Sequence, residues 1–311
     1  MKMTAKFHLP GLRYNYPLNM MLLSLKEKYP HYFQDNIEIA SFFGEFPTSL
    51  WNGGRFSNGD QCDRRFVEEV VKSINTRGIP VRYTYTNPLL TEEDLADAYC
   101  NFCMKTADNG KNEVLVVSPI LEAYIRKNYP GFTINSSTCK EIRGIEGVNE
   151  ELKKDYGLVV LDYNLNNQFG ELQKITDKSR CELLVNACCI PECPRRGEHY
   201  RTIAKQQRIT LKNRRHPADK QIPVPGWHCE YGNCNSIYDI QEYKTFISAE
   251  DIWEKYLPMG FCNFKIEGRT ADYFNLIDTY CYYLMEPKYR DEARLLLLMN
   301  LELSLIHISE P

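Results

Sequence analysis

Eight short, nearly continuous apolar runs, separated by longer amphipathic stretches, constrain this chain's fold more than any other feature. They are Ile37–Phe42, Pro80–Thr86, Val114–Ser118, Thr133–Ser136, Leu158–Tyr163, Glu182–Asn186, Thr245–Ser248 and Phe264–Glu267. Runs this short and this apolar suit strands covered on both faces. The stretches between them carry helical patterns. Arg64–Asn75 places Phe66, Val70, Val71 and Ile74 at helical spacing. Thr91–Thr106 opens on a capping-box pattern, Thr91-Glu92-Glu93-Asp94. Pro119–Lys127, Asn149–Asp155, Gln168–Thr176 and Thr270–Leu284 follow, and Ser248-Ala249-Glu250-Asp251 is a further helix start. Strand–helix units in series predict an α/β protein, a (β/α)8 TIM-like barrel with a cysteine-rich insertion after the sixth strand. An open doubly wound sheet is the alternative, but no Gly-x-Gly-x-x-Gly turn follows any strand.

On this reading residues 1–36 form a helical extension, with Pro17–Tyr29 as one striped helix. Residues 37–300 form the barrel, interrupted by the insertion at 187–244. The last residues, 301–311, resemble translated sequencing-adapter sequence and are expected to be a non-native tail. A net charge of −3 gives no global case for a nucleic-acid or membrane partner. No apolar run reaches the roughly 18–20 residues of a membrane span. No signal peptide is evident, which points to the cytoplasm and a reducing setting. There, clustered cysteines are expected to be ligands rather than cross-links. Of the twelve cysteines, Cys62, Cys139 and Cys281 stand alone and read as small buried hydrophobes.

Two cysteine pairs carry the strongest chemical signal. Cys189 and Cys193 flank Ile190-Pro191-Glu192, and Cys229 and Cys234 flank Glu230-Tyr231-Gly232-Asn233. Such spacings let two thiolates reach one centre from a single loop, so two loops supply the ligands of a tetrahedral zinc or an iron–sulfur cluster. Cys188 competes with Cys189, and His199 and His228 lie close enough to replace a cysteine in a zinc site. Between the pairs Arg195, Arg196, Arg201, Lys205, Arg208, Lys212, Arg214, Arg215 and Lys220 form a local basic patch. It suits RNA or an acidic small molecule, although aromatic interleaving is confined to Tyr200. A solvated loop is the plainer explanation.

Barrel chemistry collects where strands end. Those ends offer Asn87, Asn135, Asp162 and Asn186 as substrate-binding candidates, with Arg55 in the Asn52-Gly53-Gly54-Arg55 loop as a carboxylate or phosphate clamp. Lys265, Glu267 and Arg269 alternate, so they share one face of the last strand while Phe264 and Ile266 take the other. Charges inside a barrel have to be paired. They serve either to bind substrate and move protons or as a structural ion pair. No Gly-x-Ser-x-Gly elbow or His-Glu-x-x-His helix supports a hydrolase.

The segment Phe264-Lys265-Ile266-Glu267-Gly268-Arg269 resembles the signature of peptidase family U-32, the collagenase-like peptidases. Phe246-Ile247-Ser248-Ala249-Glu250-Asp251-Ile252, followed by Met259-Gly260, is similar to that family's approach to the signature, and the resemblance spans Ile37 to Met285. It implies mixed chemistry. Some relatives are described as proteases. Others are iron–sulfur proteins for oxygen-independent hydroxylation of the ubiquinone ring, transfer RNA or ribosomal RNA, with prephenate as suggested oxygen donor. That branch implies a 4Fe–4S cluster on four cysteines, zinc being the alternative, with Cys189, Cys193, Cys229 and Cys234 as ligands and Cys262 in reserve. The resulting expectation is an iron–sulfur hydroxylase or modifying enzyme acting on an acidic small molecule or RNA. A peptidase and a zinc-stapled scaffold without activity are the alternatives. Homo- or hetero-dimerisation stays open.

Overall fold

The computed structural model describes residues 3–54, 62–214, 216–231, 236–269 and 271–309, with no side chains described beyond Leu301. Three of the residues proposed from sequence, Arg55, Arg215 and Cys234, lie outside these ranges. The chain folds as a closed barrel of eight parallel strands in sequential order, β1 pairing with β8 to complete the ring. Helices alternate with the strands, so the architecture is a (β/α)8 barrel.

The order begins with β1 Ala5–Pro10, α1 Tyr16–Lys28, β2 Ile37–Gly44, α2 Arg64–Thr76, β3 Val81–Tyr85, α3 Ala98–Ala107, β4 Glu113–Val116 and α4 Pro119–Asn128. It continues with β5 Thr133–Ser136, α5 Ile145–Leu152, β6 Val159–Val160, α6 Phe169–Leu172, β7 Cys181–Leu184 and α7 Arg196–Asn213. After α8 Ile237–Ile240, α9 Ala249–Asp251 runs through a π-helical segment, Ile252–Tyr256, into α10 Leu257–Met259. Then come β8 Asn263–Lys265, α11 Tyr273–Leu284 and α12 Arg290–Ser309.

Two strand assignments need correction. The barrel starts at Ala5, inside the stretch read as a helical extension, and β1 pairs with β2 from Ala5↔Ile37 onward. Lys6 and His8 disguise this strand, because they break an apolar run whose outward face is Ala5, Phe7 and Leu9. Conversely, Thr245–Ser248 is not a strand. A backbone bond from Ile247 to Val185 imitates one ladder rung, and Ser248 then caps α9 by accepting from the Asp251 amide at 3.0 Å. The helix expected over Thr91–Thr106 is split. Its capping box is real, but it serves a single 3₁₀ turn at Glu92–Ala96, and Asp97 caps α3 separately.

The barrel is apolar outside and polar inside. Phe7, Leu9, Tyr83, Tyr85, Val114, Val116, Ile134, Leu183 and Phe264 join the helices in one buried apolar cluster. Alternate residues on the same strands point inward, as strand geometry requires, and these include His8, Arg82, Glu113, Asn135, Glu182 and Lys265.

The segment read as a basic loop is largely helical. Helix α7 lies across the C-terminal mouth of the barrel. At its first turn Arg196 donates to Asp162 after β6 (2.9 Å) and to the Thr138 carbonyl after β5 (3.0 Å). Further along, Arg208 pairs with Asp94 beyond β3 at 2.5 Å. Midway, Gly54 passes so close that a Cβ there would sit 2.4 Å from the Ile203 carbonyl oxygen, and its φ of +77° also suits glycine. The helix roofs the barrel from the β5–β6 side to the β2–β3 side.

Candidate active site

Beneath α7 is a cavity of about 510 Å³, within the range of small-molecule sites. Its floor and lower wall come from strand ends, namely Phe43, Thr84, Leu115, Leu184 and Lys265. Its roof is α7, through His199, Tyr200 and Ile203, and one side is the strap carrying Val224, Trp227 and Cys229. Trp227 stacks on His199, with ring centroids 4.7 Å apart and planes 2° from parallel. The Arg195 guanidinium covers the indole, 4.5 Å from the ring centroid.

Below the cavity an ion network plugs the barrel. Arg82 on β3 reaches across the lumen to Glu182 on β7 and also binds Glu113 on β4 at 2.6 Å. Asn135 donates to Glu113 at 2.8 Å and accepts from the Leu158 amide at 2.8 Å. Burial opposes the charge on Glu182, but Arg82 and Lys265 outweigh it and hold the carboxyl down at about 2. Burial, reinforced by Arg82, lowers His8 to about 4, so its ring is neutral at pH 7. His8 Nδ1 meets the Ser41 hydroxyl at 2.8 Å, and Nε2 lies 3.4 Å from Glu182 and from Asn263.

Lys265 is the uppermost member of this network and the one that lines the cavity. Its ammonium lies 3.5 Å from Glu182 Oε1 and 4.0 Å from the centre of the Phe43 ring. Burial, helped by Arg82 and Arg269 and opposed by Glu182, lowers it to about 8. Arg269 lines the same cavity and donates to Glu45 and to the Thr84 hydroxyl, both at 2.7 Å. Glu267 accepts from the Cys188 amide at 2.9 Å. The strand read over Phe264–Glu267 ends at Lys265, yet Lys265 and the two alternating residues beyond it, Glu267 and Arg269, converge on one cavity. Each cation also already faces a carboxylate, so an acidic ligand has to share Lys265 with Glu182 or Arg269 with Glu45.

The other sequence candidates sit elsewhere. Asn87 is a loop clamp, donating to the Leu50 carbonyl and accepting from the Leu89 amide, each at 2.9 Å. Asn135 belongs to the buried plug. The Asp162 carboxylate is committed to Arg196 and to the Asn164 amide. Asn186 is a brace, bonding the backbone of Glu267 in both directions at 2.7 and 3.0 Å. Residues that sequence reasoning passed over as cavity groups include Thr84, Tyr163 and Cys139, and Tyr200, read there only as an aromatic of the basic patch, joins them in the cavity wall. Cys139, read as a buried hydrophobe, follows β5 at the mouth. Its place at a strand end was the available signal.

Cys188, Cys189 and Cys229 all line this cavity, and Cys193 is buried behind Cys189. Burial pushes the Cys189 thiol up, and the adjacent Cys193 thiol adds to the effect while a bond from Tyr163 opposes it. Among the described residues no group of three His, Cys, Asp or Glu side chains is placed to hold a metal ion. The thiols share a rim rather than a point. Their donor atoms, all sulfur, are of the type that a soft metal or an iron–sulfur cluster takes. Cys262 lies away from them, its thiol directed at the Ser179 carbonyl at 3.6 Å. It belongs to the opposite end of β8 from the cavity, which removes it from the rim.

No family model matches the chain, and no curated protein matches it. Among solved structures, one titled "The Structure of the U32 Peptidase Mk0906" aligns at a TM-score of 0.48 and 14% identity, covering 86% of this chain and 94% of that one. No helix among the described residues is long and apolar enough to cross a membrane.

Proposed function

We propose that this barrel is an iron–sulfur enzyme that modifies a small molecule in the cavity under α7, of the oxygen-independent hydroxylase type. One observation carries the reading: Cys188, Cys189 and Cys229 line the same cavity as Lys265, Glu267 and Arg269. Cys189, Cys193, Cys229 and Cys234 are the proposed ligands, with Cys188 as the substitute for Cys189. A thiolate-held cluster supplies one-electron chemistry.

The chain's own groups supply the rest. Lys265 and Arg269 meet an acidic group of the substrate, at the expense of their contacts with Glu182 and Glu45. Lys265 holds its proton loosely enough to exchange it near neutral pH. The roof of α7 with Trp227 excludes water. RNA as substrate would use the exposed flank of α7, where Arg201, Lys205 and Lys212 face solvent.

For the peptidase alternative, the serine–histidine–carboxylate set found among the described residues does not open on the cavity. Ser41, His8 and Glu182 line up as a serine–histidine–carboxylate set, but Ser41 is fully buried below the cavity. Anaerobic purification with iron and acid-labile sulfide analysis tests the proposal. The expected result is a coloured protein with iron and sulfide in equal amounts, lost in Cys189→Ser and Cys229→Ser and kept in Cys281→Ser. A colourless protein with stoichiometric zinc overturns it.

A further inference from the structure

We propose that Lys265 is a carbonyl-trapping amine, forming a reversible imine with a small ketone or aldehyde bound in the cavity under α7. This reaction uses the same cavity as the proposed function but needs no metal, so the two stand or fall separately.

The position of the side chain is the first argument. Lys265 occupies the inward face of β8 at the cavity floor, its side chain 9% exposed, with its exposed part in the cavity wall. Phe43 lies against the ammonium, Leu184 stands opposite Lys265 in the β7–β8 register, and Arg82 and Arg269 are neighbouring cations. Lysines buried beside other cations lose their proton readily, which is what makes them nucleophiles.

The second argument is the weakness of its counter-charge. A lysine that only neutralises a carboxylate sits in close contact with it. Here the nearest carboxylate oxygen is 3.5 Å away, and Arg82 binds the other oxygen of the same Glu182 far more closely. Arg82 takes Glu182 Oε2 only, Oε1 faces Lys265 at 3.5 Å without a hydrogen bond, and Arg269 stands nearby as a further positive group. The lowered value of about 8 agrees with this arrangement.

The third argument is the company at the reacting position. Thr84, Ser137 and Thr138 bring hydroxyls to the cavity wall, and Glu267, two residues beyond the end of β8, lines it as well. These are the groups a carbinolamine needs. The neutral Nζ adds its lone pair to the carbonyl carbon, and the carbonyl oxygen takes up a proton to become a hydroxyl. That hydroxyl leaves as water when protonated again, while nitrogen gives up its remaining protons as the C=N bond forms. Overall, amine and carbonyl give imine and one water, with no change of oxidation state.

The test is reductive trapping on the protein as purified, with its iron content recorded alongside. Pyruvate, glyoxylate and propanal are incubated with the chain at pH 8 with and without borohydride, followed by intact mass and peptide mapping. The expected result is one adduct per chain, borohydride-dependent and confined to the peptide carrying Lys265. It is expected whether or not iron is present. Lys265→Arg keeps a cation beside Glu182 and is expected to fold normally by circular dichroism while losing the adduct. No adduct from any of the three, an adduct spread over surface lysines, or equal labelling of Lys265→Arg overturns the proposal.

Discussion

Arg196 at the start of α7 donates to Asp162 at the end of β6 across 2.9 Å, and the two side chains are 2% and 0% exposed. This pair fastens the roof to the barrel. The guanidinium also bonds Thr138 and lies 4.6 Å from the centre of the Tyr163 ring, so one side chain ties together the ends of β5 and β6 and the helix.

Breaking this pair from one side is expected to be costly. Arg196→Ala leaves the Asp162 charge buried without its partner, a loss of about 3–5 kcal/mol. Urea unfolding gives the stability, and hydrogen exchange on α7 shows the local part, with faster exchange expected along 196–213 than in the strands. The double change Arg196→Met with Asp162→Leu is expected to recover most of the loss, because it removes both charges together. An Arg196→Ala protein as stable as the parent would show that the roof is held by other contacts.

Gly54 is the second fastening. Alanine there adds a Cβ 2.4 Å from the Ile203 carbonyl oxygen at a φ of +77°, and backbone cannot move aside as a side chain does. Gly54→Ala is expected to cost about 1–3 kcal/mol and to displace α7. Gly78 is the control, since its φ is +76° and nothing lies within 4 Å of a Cβ there. Alanine at Gly78 is expected to show the backbone strain alone. The fluorescence of Trp227, held against His199 under α7, reads the displacement. Equal effects at the two glycines would remove the steric argument.

The neutral state of His8 gives a defined pH dependence. Its folded value, about 4, lies below the ordinary 6.5. As pH falls below 6.5 the unfolded chain takes up the proton first, so stability falls until the folded value is reached. The loss by pH 5 is about 2 kcal/mol. Glu182 is held down at about 2, so its own contribution fades only below the usual carboxylate value of 4.5, outside this window. Urea unfolding between pH 7 and pH 5 is expected to show the slope in the parent and a shallower one in His8→Gln. Parallel slopes would mean that His8 is charged in the folded barrel.

The outward face of the barrel is legible in the chain and the inward face much less so. Val114, Val116, Leu183 and Phe264 announce strands because they must be apolar to pack on helices. Lys6 and His8 hide β1 because the lumen is ionic, and a strand with charges on one face resembles an ordinary surface segment. Lys265, Glu267 and Arg269 reveal their shared direction through alternation alone. Their partners Glu182 and Glu45 come from other strands, and no local spacing connects them. The same limit explains Asp162. A carboxylate at a strand end looks like a substrate ligand until the arginine that occupies it arrives from a distant helix. The thiols at Cys188, Cys189 and Cys193 are legible as a short cluster, while their place beside Lys265 is set by the pairing of β7 with β8, Leu184 opposite Lys265.

The division between plug and roof has a consequence for how such a chain diversifies. The ionic plug is made by strands and fixes the scaffold, whereas α7, the Trp227 strap and most of the thiols belong to the single connection from β7 to β8. Exchanging that one connection between related barrels would transplant the roof of the cavity, thiols included, onto a floor that keeps Lys265 and its ionic partners.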